Sequence, residues 1–345
     1  MFLSYIHSFR AVAIVFIVAG HCIFLFDWNT TPWLERFFKS TMQNGTILFV
    51  FVAGFLFQHL SERFTYRRYL RSKLLNVILP YTITSLPMIL VHWRTGRGSF
   101  NPEAGFDFLT TPVHHLVFNL LTGYHILPFW FIPMISVFYL LAPLLLRLDR
   151  DGRIYYTLPL LLGVTVFVHR PVDFIHIWHS CAYFFPVYLF GMAFSHHREA
   201  MVARLEKLVP LQVAVVVGLV AVEVFVLERG GAIYSKTPFS AEAGIFGTNA
   251  IQKLILCGLL VVLLKWWDDA VKDRLAYIAE VSFGIYFLHM YFIVFHTQFI
   301  LGDVFPSGTV PRYAVGVSVV MGLCVLCLWI AKKIFGKHSR KVVGS

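Results

Sequence analysis

Charged side chains are scarce in this chain. They make up 14% of its 345 residues, against about 25% in an ordinary soluble domain. That shortage excludes a water-facing surface over most of the chain, and with it a soluble globular fold. Acidic residues are scarcer still, 18 Asp and Glu against 29 Lys and Arg. The net charge of +11 would suit a nucleic acid, but the cations are parcelled between apolar runs, where membrane topology calls for them. No nucleic-acid partner is expected. Cysteine is also rare. Cys22, Cys181, Cys257, Cys324 and Cys327 all fall in apolar runs, which argues against a disulfide framework. The CxxC spacing of Cys324 and Cys327 lies in a lipid-spanning stretch and reads as packing. No polar segment is long enough to fold alone. The first apolar run lacks a small-residue cleavage site, so it is expected to stay as a helix rather than be removed as a signal peptide.

What is abundant points to lipid. Hydrophobic residues are 58% of the chain and aromatics 17%, with a mean hydropathy of +0.72. The expected fold is an all-α polytopic bundle of about ten spans. They fall near 8–27, 44–61, 74–93, 126–146, 154–169, 174–195, 208–228, 244–265, 277–301 and 312–334. With the N-terminus inside, twenty of the Lys and Arg residues sort to the cytoplasmic side and eight to the other, Lys253 lying within a span. The asymmetry predicts both termini in the cytoplasm. The chain then reads as one integral-membrane domain, 1–337, and a short basic tail, 338–345.

Two side chains interrupt the first run. Arg10 stands at its start and His21 deep inside, eleven positions apart. On a helix both share one face, roughly 16 Å apart along the axis. An ionisable residue within a membrane marks a functional site, and this stripe suits a ligand with a charged end and a reactive end. In the ninth run Ser282, Tyr286 and His289 recur at i, i+4 and i+7, a polar stripe that must face the bundle interior. It is the expected partner of the Arg10–His21 stripe. Between the second and third runs lies a basic cluster, Arg63, Arg67, Arg68, Arg71 and Lys73. Guanidiniums there suit a phosphate-rich ligand, anionic lipid headgroups or topology alone. Lys253, beside Asn249 and Gln252, needs either structural pairing or a functional partner. Gly45, Ala53 and Gly54 allow close helix packing. Pro128, Pro133 and Pro143 should bend the fourth span. The longest connection, 94–125, is Gly-rich and ends in a short amphipathic piece, HHLVFNLL, of interfacial character. Several His residues, including His169, His176 and His179, cluster toward the outer side. They read as interfacial rings; no carboxylate or Cys joins His176 and His179 at ligand spacing, and no metal is expected.

Four stretches in order, with a fifth between them, carry a resemblance to the integral-membrane O-acyltransferases of acyltransferase family three. They are the run holding Arg10, Ala13 and His21; FVFVAGFLF, with Ala53 where the family often has Ser; RSKLLNVILPY, reading Arg71-Ser72-Lys73 where the family often has an Arg-x-Arg pair; and SFGIYFLH. HILPFWFIPMISVFYLLAP, with Trp130 and Phe131, resembles the family's middle span. The resemblance implies acetyl-CoA as acyl donor on the cytoplasmic side and a hydroxyl of an extracytoplasmic or lipid-linked carbohydrate as acceptor, within the cell membrane. It implies that His21 is catalytic, as general base or acyl relay, together with Arg10. Arg10, Arg71 and Lys73 would help hold the donor; Arg67 and Arg68 of the same basic cluster are further donor candidates, and Trp130 with the Ser282, Tyr286 and His289 stripe are the expected acceptor side chains. Membrane lipids are the remaining partners. The competing expectation is a polytopic transporter or flippase without chemistry, which explains the spans and the intramembrane His and Lys equally well.

Overall fold

The computed structural model describes residues 3–95, 111–172, 176–240, 244, 246–297 and 305–345. The Gly-rich part of the longest connection, 96–110, lies outside these, as does the end of the expected ninth span. The chain is helical nearly throughout. In order it forms α1 Ser4–Cys22, α2 Pro32–Met42, α3 Thr46–His59, α4 Tyr66–Lys73, α5 Leu79–Thr95, α6 Pro112–Thr122, α7 Phe131–Leu140 and α8 Ala142–Asp151. There follow α9 Leu158–Phe167, α10 Ile177–His196, α11 Arg198–Lys207, α12 Val209–Ala221, α13 Thr248–Trp266, α14 Asp268–Phe295, α15 Val310–Phe335 and α16 Ser339–Val343. Among the described residues the strands form a two-residue parallel ladder of β1, Arg170–Pro171, with β2, Tyr234–Ser235.

Among the described residues, eight helical runs are long and apolar enough to cross a bilayer: Ser4–Leu25, Pro32–His59, Tyr66–Arg94, Ile177–His196, Val209–Val226, Thr248–Trp266, Asp268–Phe295 and Val310–Val343. The fold is therefore a polytopic helix bundle. Two of the ten expected spans take another form. The fifth is a short apolar helix, Arg153–Phe167, and the fourth is broken: Pro112–Thr122 and Leu127–Leu140 meet at 70°. The break has a local cause. Gly123 ends α6 in the left-handed region at φ 71°, where a Cβ would lie 2.3 Å from the Phe129 carbonyl carbon, and Pro128 opens a 3₁₀ turn over Leu127–Trp130. The amphipathic HHLVFNLL piece is the first arm of this bent pair.

Helix α1 is central. It packs against α2, α3, α13, α14 and α15, and Phe9, Ala13, Ile14, Val18 and Cys22 are all buried. A helix apolar on every face but the stripe it turns to α14 belongs in such a position. Helices α3 and α10 approach backbone to backbone. A Cβ at Gly54 would stand 2.0 Å from the Tyr188 carbonyl oxygen, and one at Gly191 2.0 Å from that of Phe51. This is small-residue packing in a medium that offers little other drive for helix association. Lys253 is fully buried and paired. Its ammonium donates to the carbonyls of Ser40 at 2.9 Å and Thr41 at 2.7 Å and to Gln252 Oε1 at 2.6 Å. It thereby caps the C-terminal carbonyls of α2. Buried Glu223 completes the cluster, accepting from Ser40 Oγ and Thr248 Oγ1, each at 2.5 Å.

Candidate active site

The two polar stripes meet along the α1–α14 contact. At one end the Arg10 guanidinium donates to Ser282 Oγ at 3.0 Å, and Ser282 donates onward to the Ala279 carbonyl at 2.8 Å. At the other end His21 lies in the last turn of α1, its ring centroid 5.2 Å from that of His289. His21 Nδ1 is 2.9 Å from the Ile17 carbonyl and 3.3 Å from His289 Nε2, while His289 Nδ1 is 3.1 Å from the Ile285 carbonyl. With both rings neutral, one assignment satisfies all three contacts. His289 Nδ1–H donates to Ile285, leaving Nε2 as a lone pair. His21 Nδ1–H is then shared between Ile17 and His289 Nε2. The remaining nitrogen, His21 Nε2, carries a lone pair. Any other neutral arrangement sets a lone pair against a carbonyl oxygen.

Two cavities adjoin His21. One, of about 210 Å³, is walled by Gln43, Asn44, Thr46, Trp130, Arg170 and Tyr234 among others. The second, of about 20 Å³, is bounded by Thr46, Phe49, Pro128, Trp130, Arg170 and Tyr286. A further cavity, about 620 Å³, opens beside Gln58, His59 and the α10–α11 junction and does not touch His21. Its histidines and glutamates, His59, His196, His197, Glu62 and Glu199, lie off both polar stripes.

Trp130 stacks on Phe184 at 5.3 Å, and Tyr286 donates its hydroxyl to the Pro128 carbonyl; both side chains wall the small cavity. Ser282 and His289 are fully buried and hold Arg10 and His21 from behind. In the basic cluster, Arg67, Arg68 and Arg71 are exposed. Lys73 turns inward, its ammonium 4.7 Å from the Tyr139 ring and 5.2 Å from that of Tyr69. Of the four donor-site candidates, Lys73 is the one that is not exposed.

The residue that sequence reasoning missed is Arg170. It is 7% exposed and bounds both cavities at His21. Its Nη1 donates to Tyr234 Oη at 3.1 Å and Asn44 Oδ1 at 3.4 Å. The guanidinium lies 5.2 Å from the Trp130 ring, 5.7 Å from Phe184 and 5.3 Å from Tyr234, a cation held over aromatic faces. Asn44, at φ 61°, donates to Tyr183 Oη at 2.7 Å. In sequence Arg170 is one more loop cation; its partners come from segments up to 126 residues away. The outer histidines serve the same rim: His179 Nε2 lies 2.6 Å from the His169 carbonyl and His169 Nε2 lies 2.7 Å from that of Gly244. Among the described residues no group of three or more His, Cys, Asp and Glu is arranged to hold a metal.

A family model described as an acyltransferase domain matches residues 3–329. No curated protein and no solved structure matches the chain. The matched region spans both stripes, the basic cluster and the broken fourth span. The chain thus belongs to acyltransferase family three and is a membrane acyltransferase.

Proposed function

We propose that the protein moves an acetyl group from acetyl-CoA, entering at the Arg10 end, to a carbohydrate hydroxyl held in the cavity at the His21 end. The observation that carries this reading is the His21–His289 pair, which leaves a lone pair on His21 Nε2 in a ring that adjoins a polar, aromatic-lined cavity. That is the state a general base requires. His21 Nε2 takes the proton of the acceptor hydroxyl as its oxygen attacks the thioester carbonyl. The C–S bond then breaks, the thiolate leaves, and the imidazolium returns the proton to sulfur. Arg170 supplies positive charge beside the developing oxyanion. Trp130 and Tyr234 offer faces for a sugar ring, and Asn44 and Gln43 offer hydrogen bonds for its hydroxyls. Arg10 and His21 are roughly 16 Å apart along α1, a distance the extended pantetheine arm of coenzyme A bridges. Ser282 and His289 act as positioning residues for Arg10 and His21.

The same Nε2 lone pair also suits an imidazole that accepts the acyl group itself and passes it on to the acceptor. The test is vesicles of known orientation, with acetyl-CoA confined to one side and a glycan acceptor to the other. Acetylation only when acetyl-CoA is on the N-terminal side of the protein is expected. Acetylation that requires both substrates on one side refutes the through-membrane arrangement. Substrate flux without loss of the thioester refutes acyl transfer under these conditions.

A further inference from the structure

The chain folds back on itself beyond the matched domain. Helix α16 packs against α5, α14, α15 and the π turn Leu74–Ile78 that follows α4. The tail is fastened at its end. Ser339 Oγ donates to the Ser345 carbonyl at 2.6 Å, and Gly344 and Ser345 are buried. The contact with α14 centres on Gly284, where a Cβ would stand 3.0 Å from the Val343 carbonyl oxygen and within reach of Leu328. Gly284 lies two residues from Ser282, the partner of Arg10. The same end of the bundle therefore holds Arg10 from α1, Lys73 from α4 and Arg340 from α16. Three cations brought together by three separate segments repel one another, and a diphosphate bridging them removes that cost through charge-assisted bonds.

We propose that Arg340, exposed on α16 and outside the matched acyltransferase domain, joins Arg10 and Lys73 in a three-cation site for the diphosphate of a soluble nucleotide-type donor. The proposal rests on the donor entering at the Arg10 end. It adds that the tail is a wall of the donor site and not a free basic extension. The fold supplies the reason: α16 is held against α14 beside the Arg10–Ser282 pair and against the turn that follows Lys73, so the exposed Arg340 stands at the same end of the bundle.

The test uses the full-length chain in nanodiscs of phosphatidylcholine, with coenzyme A and ADP as probes in a direct binding assay. Wild-type protein is expected to bind both, with affinity falling as salt rises. Arg340→Ala and Arg340→Glu are expected to weaken both by roughly ten-fold or more, and Arg340→Lys to recover part of the loss. Lys265→Ala, which removes a cation paired with Glu206 at 3.0 Å, is expected to leave affinity unchanged. Coenzyme A binding that is equal in wild type, Arg340→Ala and Arg340→Glu overturns the proposal and leaves the donor reading intact. Arg340-dependent binding of ADP without binding of coenzyme A upholds the diphosphate site and overturns the donor reading. Failure of the wild type to bind either probe overturns both. In nanodiscs that also contain phosphatidylglycerol, Arg340-dependent retention of that lipid, undisplaced by coenzyme A, reassigns the site to a headgroup and overturns the proposal.

Discussion

Replacing His289 by Ala separates positioning from chemistry at this site. The side chain is fully buried and its Nε2 accepts from His21 Nδ1 at 3.3 Å. Its removal deletes one neutral hydrogen bond from His21, worth about 0.5–1.5 kcal/mol net. His21 Nδ1–H keeps its second acceptor, the Ile17 carbonyl at 2.9 Å, so the proton stays on Nδ1 and Nε2 stays basic. The rate should therefore fall roughly two- to twelve-fold, in kcat with little change in KM, since 1.4 kcal/mol corresponds to about a factor of ten. His21→Ala removes the base itself and should cost on the order of 10²–10⁴-fold. A further expectation concerns His289→Gln, whose amide can present an oxygen to His21; it should recover part of the loss. The assay is release of the coenzyme A thiol by purified protein with acetyl-CoA and a glycan acceptor, alongside melting temperatures for each variant. If His289→Ala is folded and as inactive as His21→Ala, His289 takes part in the chemistry and the positioning argument fails.

Lys73→Ala should raise the KM for the donor more than Arg71→Ala does, because Lys73 turns inward whereas Arg71 is exposed; equal effects in steady-state kinetics would show that the whole cluster acts as one diffuse field. Lys253→Met should destabilise the fold by about 1–3 kcal/mol, the usual cost of leaving buried acceptors unsatisfied, because the Ser40 and Thr41 carbonyls lose their donor. A melting temperature within a degree of wild type would contradict that role. Burial and the neighbouring Arg229 hold the His169 imidazole below its ordinary range. Unfolded, it titrates near about 6.5, so the unfolded chain takes up the proton first, and stability should be complete above that value and fall as the pH drops below it. His169→Gln, which keeps a donor for the Gly244 carbonyl, should flatten the acid limb of a plot of melting temperature against pH; identical limbs in both proteins would assign the acid sensitivity elsewhere.

The sequence by itself determined what depends on local periodicity and on the solvent. A long apolar run must become a helix in lipid because its backbone has no other hydrogen-bonding partners there, so the bundle and most of its spans were legible. The helical repeat alone puts Arg10 with His21, and Ser282 with Tyr286 and His289. It also left Lys253 in need of partners without naming them. The fourth span shows where length alone misleads: an apolar count of the right size hides the turn at Gly123, which depends on a left-handed residue packed against Phe129. Only the tertiary structure decided which polar groups converge. Arg170 is an unremarkable loop cation until Asn44, Trp130, Phe184 and Tyr234 arrive from distant segments. The tail 338–345 is only a short basic segment in sequence; its seat against α14 depends on Gly284 being small enough to receive it. Such contacts join positions far apart in sequence, and they are fixed by packing complementarity, which carries no periodic signature along the chain.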